Sequence, residues 1–264
     1  MGTAILDGLI ASGMDAANIS ISTNTAASSL KIASKHGVAT FCLEEDASNN
    51  LAAIDGADVI IMATKPYLIN DVLNTFVAPH LKASALVISV AAGITNEAMQ
   101  AALPLGNPVV RAMPNTPAIV GRAVTGIALG SRATDAHQKL AEELFATVGK
   151  TLVVSEDRID ALSTISGSGP AYVFFLVEQF VVAAKHQGFS DDEAKLLVNE
   201  TFLGAVELLV ASGKEPAELR RQVTSPNGTT MQAIARMEKS DLDQMFIEAT
   251  DAALARAREI AAGK

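Results

Sequence analysis

The chain has 264 residues, 49% of them hydrophobic and 19% charged, a composition typical of a globular protein rather than a disordered one. Its formal net charge is −9 and its longest basic cluster is Arg220-Arg221, which argues against nucleic acid as a partner. The single cysteine, Cys42, excludes an intrachain disulfide and fits a cytoplasmic protein.

Short apolar, β-branched runs alternate with helix-like stretches over residues 1–154. This alternation predicts an α/β domain with a mainly parallel sheet covered by helices on both faces. The last runs follow one another closely, which allows one or two antiparallel edge strands. The predicted strands are Ile19–Ser22, Val59–Ala63, Leu86–Val90, Val109–Met113, Val124–Leu129 and Leu152–Val154. The predicted helices are Thr3–Ala11, Ala26–His36, Leu68–Leu81, Asn96–Leu103 and Asp135–Val148.

The strand signal disappears after Ser155, and a period of about 3.6 residues takes over. We therefore predict a domain boundary near residues 153–158, with a first domain over 1–154 and an all-helical one over 155–264. The predicted helices are Ala161–Ile165, Ala171–His186, Asp191–Ser212, Pro216–Val223, Thr229–Lys239 and Asp241–Ala261.

The segment Ala171–Ala184 is apolar on nearly every face of its predicted helix. A helix of this kind is buried on every face, and a small helical domain provides too little cover, so we expect burial against a second subunit. Glu178 and Gln179 interrupt the apolar run, and no membrane span is predicted.

Three loops of small residues follow successive predicted strands: Ala63-Thr64-Lys65-Pro66, Ala91-Ala92-Gly93 and Met113-Pro114-Asn115. Each loop alone reads as an ordinary strand-to-helix turn. Dinucleotide-binding domains hold their ligand at the carboxyl ends of the strands, so three such loops in series predict a rim for a nucleotide. Lys65 is either a solvated surface charge or a contact to a phosphate or ribose.

Gly2 opens the first predicted helix, as the last glycine of a phosphate-binding loop would. A strand normally precedes that loop, so we expect residues 1–154 to lack the first strand of such a domain. The next strand ends in Thr23-Asn24-Thr25 without an acidic residue, which favours a 2′-phosphate over an unmodified ribose. The sequence therefore predicts NADPH, with NADH as the alternative.

The stretch Ser225–Thr230 combines a helix-start signal with an excess of hydroxyl groups. Ser225 is expected to cap the helix, and Gly228 lets a ligand approach the backbone. Free amides of a first helical turn, with the hydroxyls of Thr229 and Thr230, suit a small carboxylate. An isolated segment of this kind would be read as an ordinary capped helix.

The histidines lie outside these motifs and lack metal-ligand spacing, so no metal site is predicted. No Ser-His-Asp or Cys-His set can be assembled either. The four histidines are His36, His80, His137 and His186.

Five motifs stand in the order seen in pyrroline-5-carboxylate reductases, which this chain resembles over essentially its whole length. The motifs are Ala63–Pro66, Ser89–Ile94, Arg111–Pro117, Ser166–Tyr172 and Thr224–Thr230. These enzymes reduce a cyclic imine, 1-pyrroline-5-carboxylate, to L-proline with NAD(P)H. The resemblance implies a Rossmann-type dinucleotide-binding domain followed by an all-α dimerisation domain. It also implies a cytoplasmic homodimer, allows a decamer built from dimers, and gives no role to nucleic acid or membrane.

The same resemblance implies roles for particular residues. The substrate carboxylate would be bound at Ser225, Gly228 and Thr229, and the hydroxyl of Thr230 would lie near the ring nitrogen as the catalytic group. The cofactor would be held by Gly2, Thr23, Asn24, Asn50, Ala63, Thr64, Lys65, Pro66, Ala91, Gly93, Met113, Pro114 and Asn115.

Two departures from the family pattern and two rival functions accompany this resemblance. Family members carry a first strand and a fuller glycine loop before the position of Gly2, and many have glycine where Asn227 stands. A 3-hydroxyacid dehydrogenase shares the two-domain plan but uses a lysine early in the first long helix of its second domain. No lysine lies between Lys150 and Lys185. A non-catalytic nucleotide-binding oligomer is the second rival.

Overall fold

A computed structural model describes residues 1–103 and 106–261. Its described residues divide into two compact units, one formed by Met1–Ser168 with residues 253–261, the other by Gly169–Ala252. The first unit therefore ends at Ser168 before the second begins. The domain boundary near residues 153–158 stays a prediction.

The described part of the first unit contains two sheets. Strands β3, β4 and β5 run parallel, β6 runs antiparallel to β5, and β7 runs parallel to β6. The prediction of a mainly parallel sheet with antiparallel strands near one edge is confirmed. The second sheet is the parallel pair of β1 and β2. The strands are β1 (Ser20–Thr23), β2 (Ala39–Cys42), β3 (Val59–Met62), β4 (Leu86–Ser89), β5 (Val109–Met113), β6 (Ala123–Leu129) and β7 (Gly149–Val153).

The helices of the first unit begin and end where the sequence supplies local signals. The Thr25 side chain accepts a hydrogen bond from the amide of Ser28 and so caps α2, and Gly37 ends that helix with a φ of 68°. A π-helical turn, Leu73–Val77, continues α4, and another, Ser163–Gly167, continues α7. The helices are α1 (Gly2–Ala11), α2 (Ala26–His36), α3 (Asn49–Ile54), α4 (Pro66–Val72), α5 (Asn96–Ala102), α6 (Asp135–Ala146) and α7 (Ile159–Leu162).

Helices cover both faces of the larger sheet, as predicted. Val87 and Ile88 are neighbours in β4, so their side chains point to opposite faces, and each is fully buried in a different cluster. Ile88 packs in the cluster that contains Phe145 of α6, and Val87 in the cluster that contains Met99 of α5. This burial on both faces fixes the sheet whose strand ends carry the predicted loops.

Strand β2 and helix α3 were not predicted from the sequence. Strand β2 has four residues, three of them at least partly exposed, and α3 has six residues without a buried one. Both elements are too short to show a hydrophobic period.

The described residues after Ser155 form helices without a strand, which confirms the all-α prediction. Ser190 and Glu193 form a capping box at the start of α9, and Gly213 ends that helix with a φ of 61°. The rings of Phe180 and Phe202 meet edge to face at 6.1 Å, one on each of the first two long helices. The helices are α8 (Gly169–His186), α9 (Asp191–Ser212), α10 (Pro216–Gln222), α11 (Thr229–Met237) and α12 (Leu242–Ala261).

Apolar side chains of α8 remain uncovered in the single chain. Phe174 and Phe175 are more than half exposed, as are several residues of α9. The helical run Glu156–His186, of 31 residues, has the length and composition of a membrane-spanning helix. Its most apolar stretch is 0% buried in the single chain. A surface of this kind needs cover, and the family comparison below indicates what provides it.

Candidate active site

The three predicted loops meet at one edge of the larger sheet. Strands β3, β4 and β5 are parallel neighbours, so their carboxyl ends lie side by side. Ala63–Pro66 follows β3, Ala91–Gly93 follows β4, and Pro114-Asn115 follows β5, whose last residue is Met113. This is the edge at which open α/β sheets bind their ligands.

Gly2 reaches the same edge from the first helix. A Cβ atom at residue 2 would lie 3.2 Å from the Cβ of Ala63, tighter than ordinary van der Waals contact. Helix α1 has no side-chain cap at its start, which leaves its first amides available to a phosphate. Glycine at residue 2 therefore allows α1 to approach the β3 loop closely.

Lys65 and Pro66 form the start of α4. Lys65 is the N-cap residue with an extended backbone, and Pro66 is the first helical residue, where its missing amide hydrogen costs nothing. The Lys65 side chain is exposed. An exposed lysine fits both a solvated surface charge and a contact to a phosphate or ribose, so its role stays a prediction.

Residue 93 has to be glycine for two reasons, its backbone conformation and a close contact with another part of the chain. Its φ of 77° is left-handed, and a Cβ atom there would lie 3.3 Å from Cγ2 of Ile260 at the end of α12. The end of α12 therefore lies against the loop after β4.

Asn115 is buried, and its side chain is engaged within the chain. Its Nδ2 donates to the carbonyl of Ser166 at 2.8 Å, and its Oδ1 accepts from the amide of Val124 at 2.9 Å. The side chain thus fastens the loop after β5 to β6 and to the turn Ser163–Gly167. The Asn115 side-chain amide is therefore already engaged within the chain, and the predicted cofactor contact of this loop stays a prediction.

A buried ion pair, which was not predicted from the sequence, lies just before this loop. The guanidinium of Arg111, only 4% exposed, places Nη2 at 2.6 Å from Oδ1 of Asp160 and Nη1 at 3.8 Å from Oε1 of Glu156. The same Glu156 oxygen accepts from the amide of Asn96 at 2.6 Å. The available signal was an arginine in the otherwise apolar run Val109–Met113.

The residues predicted for the adenosine end come together at the smaller sheet. The Ser22 hydroxyl donates to Oδ1 of Asn50 at 2.6 Å, which ties β1 to α3. Thr23, the last residue of β1, shares a hydrogen bond of 2.6 Å with the Ser29 hydroxyl, and Asn24 follows it with an exposed side chain. Hydroxyl and amide groups of this kind can donate hydrogen bonds to a ribose or to its 2′-phosphate.

Glu44, which was not predicted as a site residue, also lies at this end of the smaller sheet. Its Oε2 accepts a hydrogen bond of 2.9 Å from the amide of Ala26, the first residue of α2. The signal was available, because an assignment of Val38–Leu43 as a strand would have placed Glu44 at its carboxyl end.

The helix start in the second unit differs from the prediction in its cap. Helix α11 begins at Thr229 with Gly228 as N-cap, so the assignment of Ser225 as the cap was wrong. The reason is a tight turn, in which the amide of Gly228 donates to the carbonyl of Ser225 at 3.1 Å. Asn227 takes a φ of 60° inside that turn, a conformation that asparagine tolerates better than most residues.

The first turn of α11 therefore keeps its amides free of a side-chain cap. Thr229 is exposed and Thr230 partly buried at this turn. The Ser225 hydroxyl lies directly beside Gly228, where a Cβ atom would collide with it. Amides, hydroxyls and the positive end of the helix dipole thus occur together in one short segment.

A groove of about 230 Å³ lies beside this segment, between α10 and α11. Arg220, one of its lining residues, is paired with Glu238 at 3.5 Å. Among residues 1–103 and 106–261, no group of three or more His, Cys, Asp or Glu side chains is arranged to hold a metal ion.

Comparison with known proteins identifies the family. Residues 156–260 match the family described as pyrroline-5-carboxylate reductase dimerisation, and residues 1–93 match one described as coenzyme F420-dependent NADP oxidoreductase. A pyrroline-5-carboxylate reductase of Corynebacterium melassecola is 36% identical over 263 residues, which cover 98% of this chain and 95% of the relative. The chain belongs to the pyrroline-5-carboxylate reductase family.

Other members of the family agree with this assignment. The enzyme of Pseudomonas aeruginosa is 36% identical, over 99% of this chain and 93% of its own. The structure of a pyrroline-5-carboxylate reductase from Coxiella burnetii superposes with a TM-score of 0.86 at 35% identity, over 98% of this chain and 94% of the other. A Plasmodium falciparum pyrroline carboxylate reductase with NADP bound gives 0.83 at 25% identity, over 99% and 94% of the two chains.

Family membership confirms the predicted fold class, a Rossmann-type domain followed by an all-α dimerisation domain. The match to a dimerisation family covers the exposed apolar helices, so self-association accounts for their composition. In α8, Lys185 stands in the last turn, and the lysine that a 3-hydroxyacid dehydrogenase would need is missing from its start.

Proposed function

We propose that this protein reduces 1-pyrroline-5-carboxylate to L-proline, the last step of proline biosynthesis, with NADPH preferred over NADH as the hydride donor. The observation that carries the proposal is the segment Thr224–Thr230. It joins an uncapped helix start to two threonines, in a chain that is 36% identical to reductases of this family over nearly its full length.

The first unit would hold the dinucleotide. The strand-end loops and Gly2 fit the pyrophosphate and nicotinamide portions, because they offer backbone amides and little side-chain bulk at one edge of a parallel sheet. Thr23, Asn24 and Asn50 fit the adenosine portion. The bound cofactor supplies a hydride. The proposed residues are Gly2, Thr23, Asn24, Asn50, Ala63, Thr64, Lys65, Pro66, Ala91, Gly93, Met113, Pro114 and Asn115.

The second unit would bind the substrate. Ser225, Gly228 and Thr229 supply amides and hydroxyls for the carboxylate, and the hydroxyl of Thr230 orients the ring nitrogen. A protonated imine is already electrophilic, so the reaction demands positioning more than a strong acid. The chain can therefore dispense with a catalytic histidine.

We also propose that the working form is a cytoplasmic homodimer, with a decamer built from dimers as a further level of assembly. The exposed apolar residues of α8 and α9 support the dimer. The net charge of −9 gives nucleic acid no role, and self-association leaves none for a membrane.

The experiment that tests the proposal is Thr230→Val, which keeps the shape of the side chain and deletes its hydroxyl. If the hydroxyl orients the imine nitrogen, its loss leaves a polar group unpaired and costs about 1–3 kcal/mol. This corresponds to a loss of about 5- to 150-fold in kcat/KM. Oxidation of NADPH that depends on the cyclic imine gives the rates.

Thr229→Val is the matched control, since it deletes the neighbouring hydroxyl. It should raise KM more than it lowers kcat if Thr229 binds the carboxylate. Affinity for NADPH should stay within about threefold in both variants, because neither hydroxyl is assigned to the cofactor. A Thr230→Val enzyme with the kcat/KM of the wild type would remove the assigned role and leave the segment as an ordinary helix start.

A further inference from the structure

The carboxylate of Glu44 lies near the carboxyl end of β1, a strand whose own sequence has no acidic residue. The amide of Leu43 donates to the carbonyl of Thr23 at 2.9 Å, so the chain leaving β2 runs along the end of β1. The next residue, Glu44, places its Oε2 at 2.9 Å from the amide of Ala26. The acidic residue at the turn after β1 is thus Glu44, which follows the neighbouring strand β2 in the chain.

The surroundings of this carboxylate are the groups proposed for the adenosine portion of the cofactor. Thr23 ends β1, and Ser22 bonds to Asn50 at 2.6 Å beside it. Helix α2 has no acidic residue in its first turn, so Glu44 is the negative charge at that position. An acidic group after this strand of a dinucleotide-binding domain accepts hydrogen bonds from the ribose hydroxyls, and a 2′-phosphate is repelled by it.

We propose that Glu44 is a specificity-determining residue at the ribose end of the dinucleotide. Its carboxylate accepts hydrogen bonds from an unmodified ribose and repels a 2′-phosphate. The phosphate and the carboxylate also compete for the amide of Ala26. The hydroxyls and amide of Ser22–Thr25 favour NADPH, and Glu44 limits that preference. This inference rests on the proposed function, because it assumes that Thr23, Asn24 and Asn50 hold the adenosine portion.

The test compares Glu44→Gln with Glu45→Gln in the full chain. Glutamine keeps the length of the side chain and an oxygen that accepts from Ala26, and it removes the charge. Glu45 is the matched control, since it is also exposed and carries the same charge, and in the described residues its side chain makes no hydrogen bond to α2.

Binding is measured without turnover, by fluorescence titration with NADPH and NADH and by calorimetry with adenosine 2′,5′-bisphosphate and AMP. In Glu44→Gln the affinity ratio of the 2′-phosphorylated to the unphosphorylated ligand should rise about 3- to 10-fold, as expected for the loss of one exposed like charge. In Glu45→Gln it should stay within about 1.5-fold. The gain should shrink in high salt, because salt screens exposed charges.

An unchanged ratio in Glu44→Gln overturns the inference, and so does an equal rise in both variants, which would reflect net charge alone. A wild-type protein that oxidises NADPH with the cyclic imine, combined with an unchanged ratio, removes only the role of Glu44. A wild-type protein that neither binds a dinucleotide nor reduces the imine removes the proposed function, and this inference with it.

Discussion

The two units of the molecule differ in how far they bury their large apolar side chains. In the first unit Phe145, Leu73 and Met99 are fully buried between helices and sheet. Within Gly169–Ala252, all of which the structure describes, the buried apolar residues are Ala194 and Val198, while Phe174 is 63% exposed. The first unit thus closes a core of its own, and the second presents apolar helices that another surface has to cover.

This difference explains how one chain combines two tasks. A dinucleotide site needs strand ends held by a packed sheet, and the first unit packs its sheet on both faces. A dimerisation region needs apolar surface that its own chain leaves open. The following predictions test whether stability is divided between the units in this way.

The largest effect is expected from Phe145→Ala in the core of the first unit. Removing a fully buried phenylalanine leaves a cavity and should lower the free energy of unfolding by about 3–5 kcal/mol. Urea unfolding measures the loss, which should not depend on protein concentration. Tyr67→Ala is the control: this residue is 77% exposed, and its change should stay within about 0.5 kcal/mol. Similar losses for both variants would contradict a closed core.

Asp160→Asn should have the second largest effect, because it leaves the buried guanidinium of Arg111 without its nearest carboxylate. A fully buried pair loses about 3–5 kcal/mol, and we expect about 2–3 kcal/mol since Asp160 is partly exposed and Glu156 lies at 3.8 Å. Urea unfolding again gives the value. The double variant Arg111→Met/Asp160→Leu should recover much of the loss. A double variant less stable than Asp160→Asn would argue against this electrostatic cause.

Phe174→Glu should weaken self-association through the second unit. Burial of a charge in place of this aromatic side chain should cost about 2 kcal/mol, or about 30-fold in the dimer dissociation constant. Sedimentation at several protein concentrations measures that constant. Leu30→Glu is the matched control, since Leu30 is 68% exposed on α2 of the first unit. Equal weakening by both variants would mean that the apolar helices are not the contact surface.

The smallest effect concerns the cap of α9. Hydrogen bonds from the backbone amide and the hydroxyl of Ser190 lower the pKa of Glu193 below its ordinary value. A carboxyl whose pKa is lower in the folded state stabilises the fold above its ordinary pKa. This stabilisation is lost as the pH falls through the folded value.

Glu193→Gln should therefore lower the melting temperature at neutral pH, and the difference from the wild type should disappear in acid. Thermal unfolding monitored by circular dichroism across this range measures it. Glu200→Gln on the same helix is the control and should show no such trend. A difference that grows towards acid would reverse the assigned sign.

Much of the fold could be predicted from the sequence because its signals are local. Helices Ala26–His36 and Asp191–Ser212 were predicted with their observed bounds, since a hydroxyl residue precedes each and a glycine follows. The three loops could be assigned to one edge because successive parallel strands place their ends together.

The remaining features depend on contacts between distant residues. The sequence could not indicate that the side chain of Asn115 bonds to Ser166. The contact of Glu44 with Ala26 depends on β2, a strand that was not predicted. Ser225 was assigned as a cap because its residue type is typical of caps, whereas a turn through Asn227 makes Gly228 the N-cap of the helix that begins at Thr229. The residue type suggests which role a side chain can play, and the course of the backbone decides where that side chain lies.

The left-handed conformation of Asn227 sets how freely the proposed substrate segment can vary during evolution. With a φ of 60°, the position costs an ordinary side chain about 1–2 kcal/mol, which glycine avoids and asparagine largely does. Most other replacements would destabilise the turn before any property of the new side chain could affect a ligand. Mutational drift at this position is thus confined to a few residue types by backbone geometry alone.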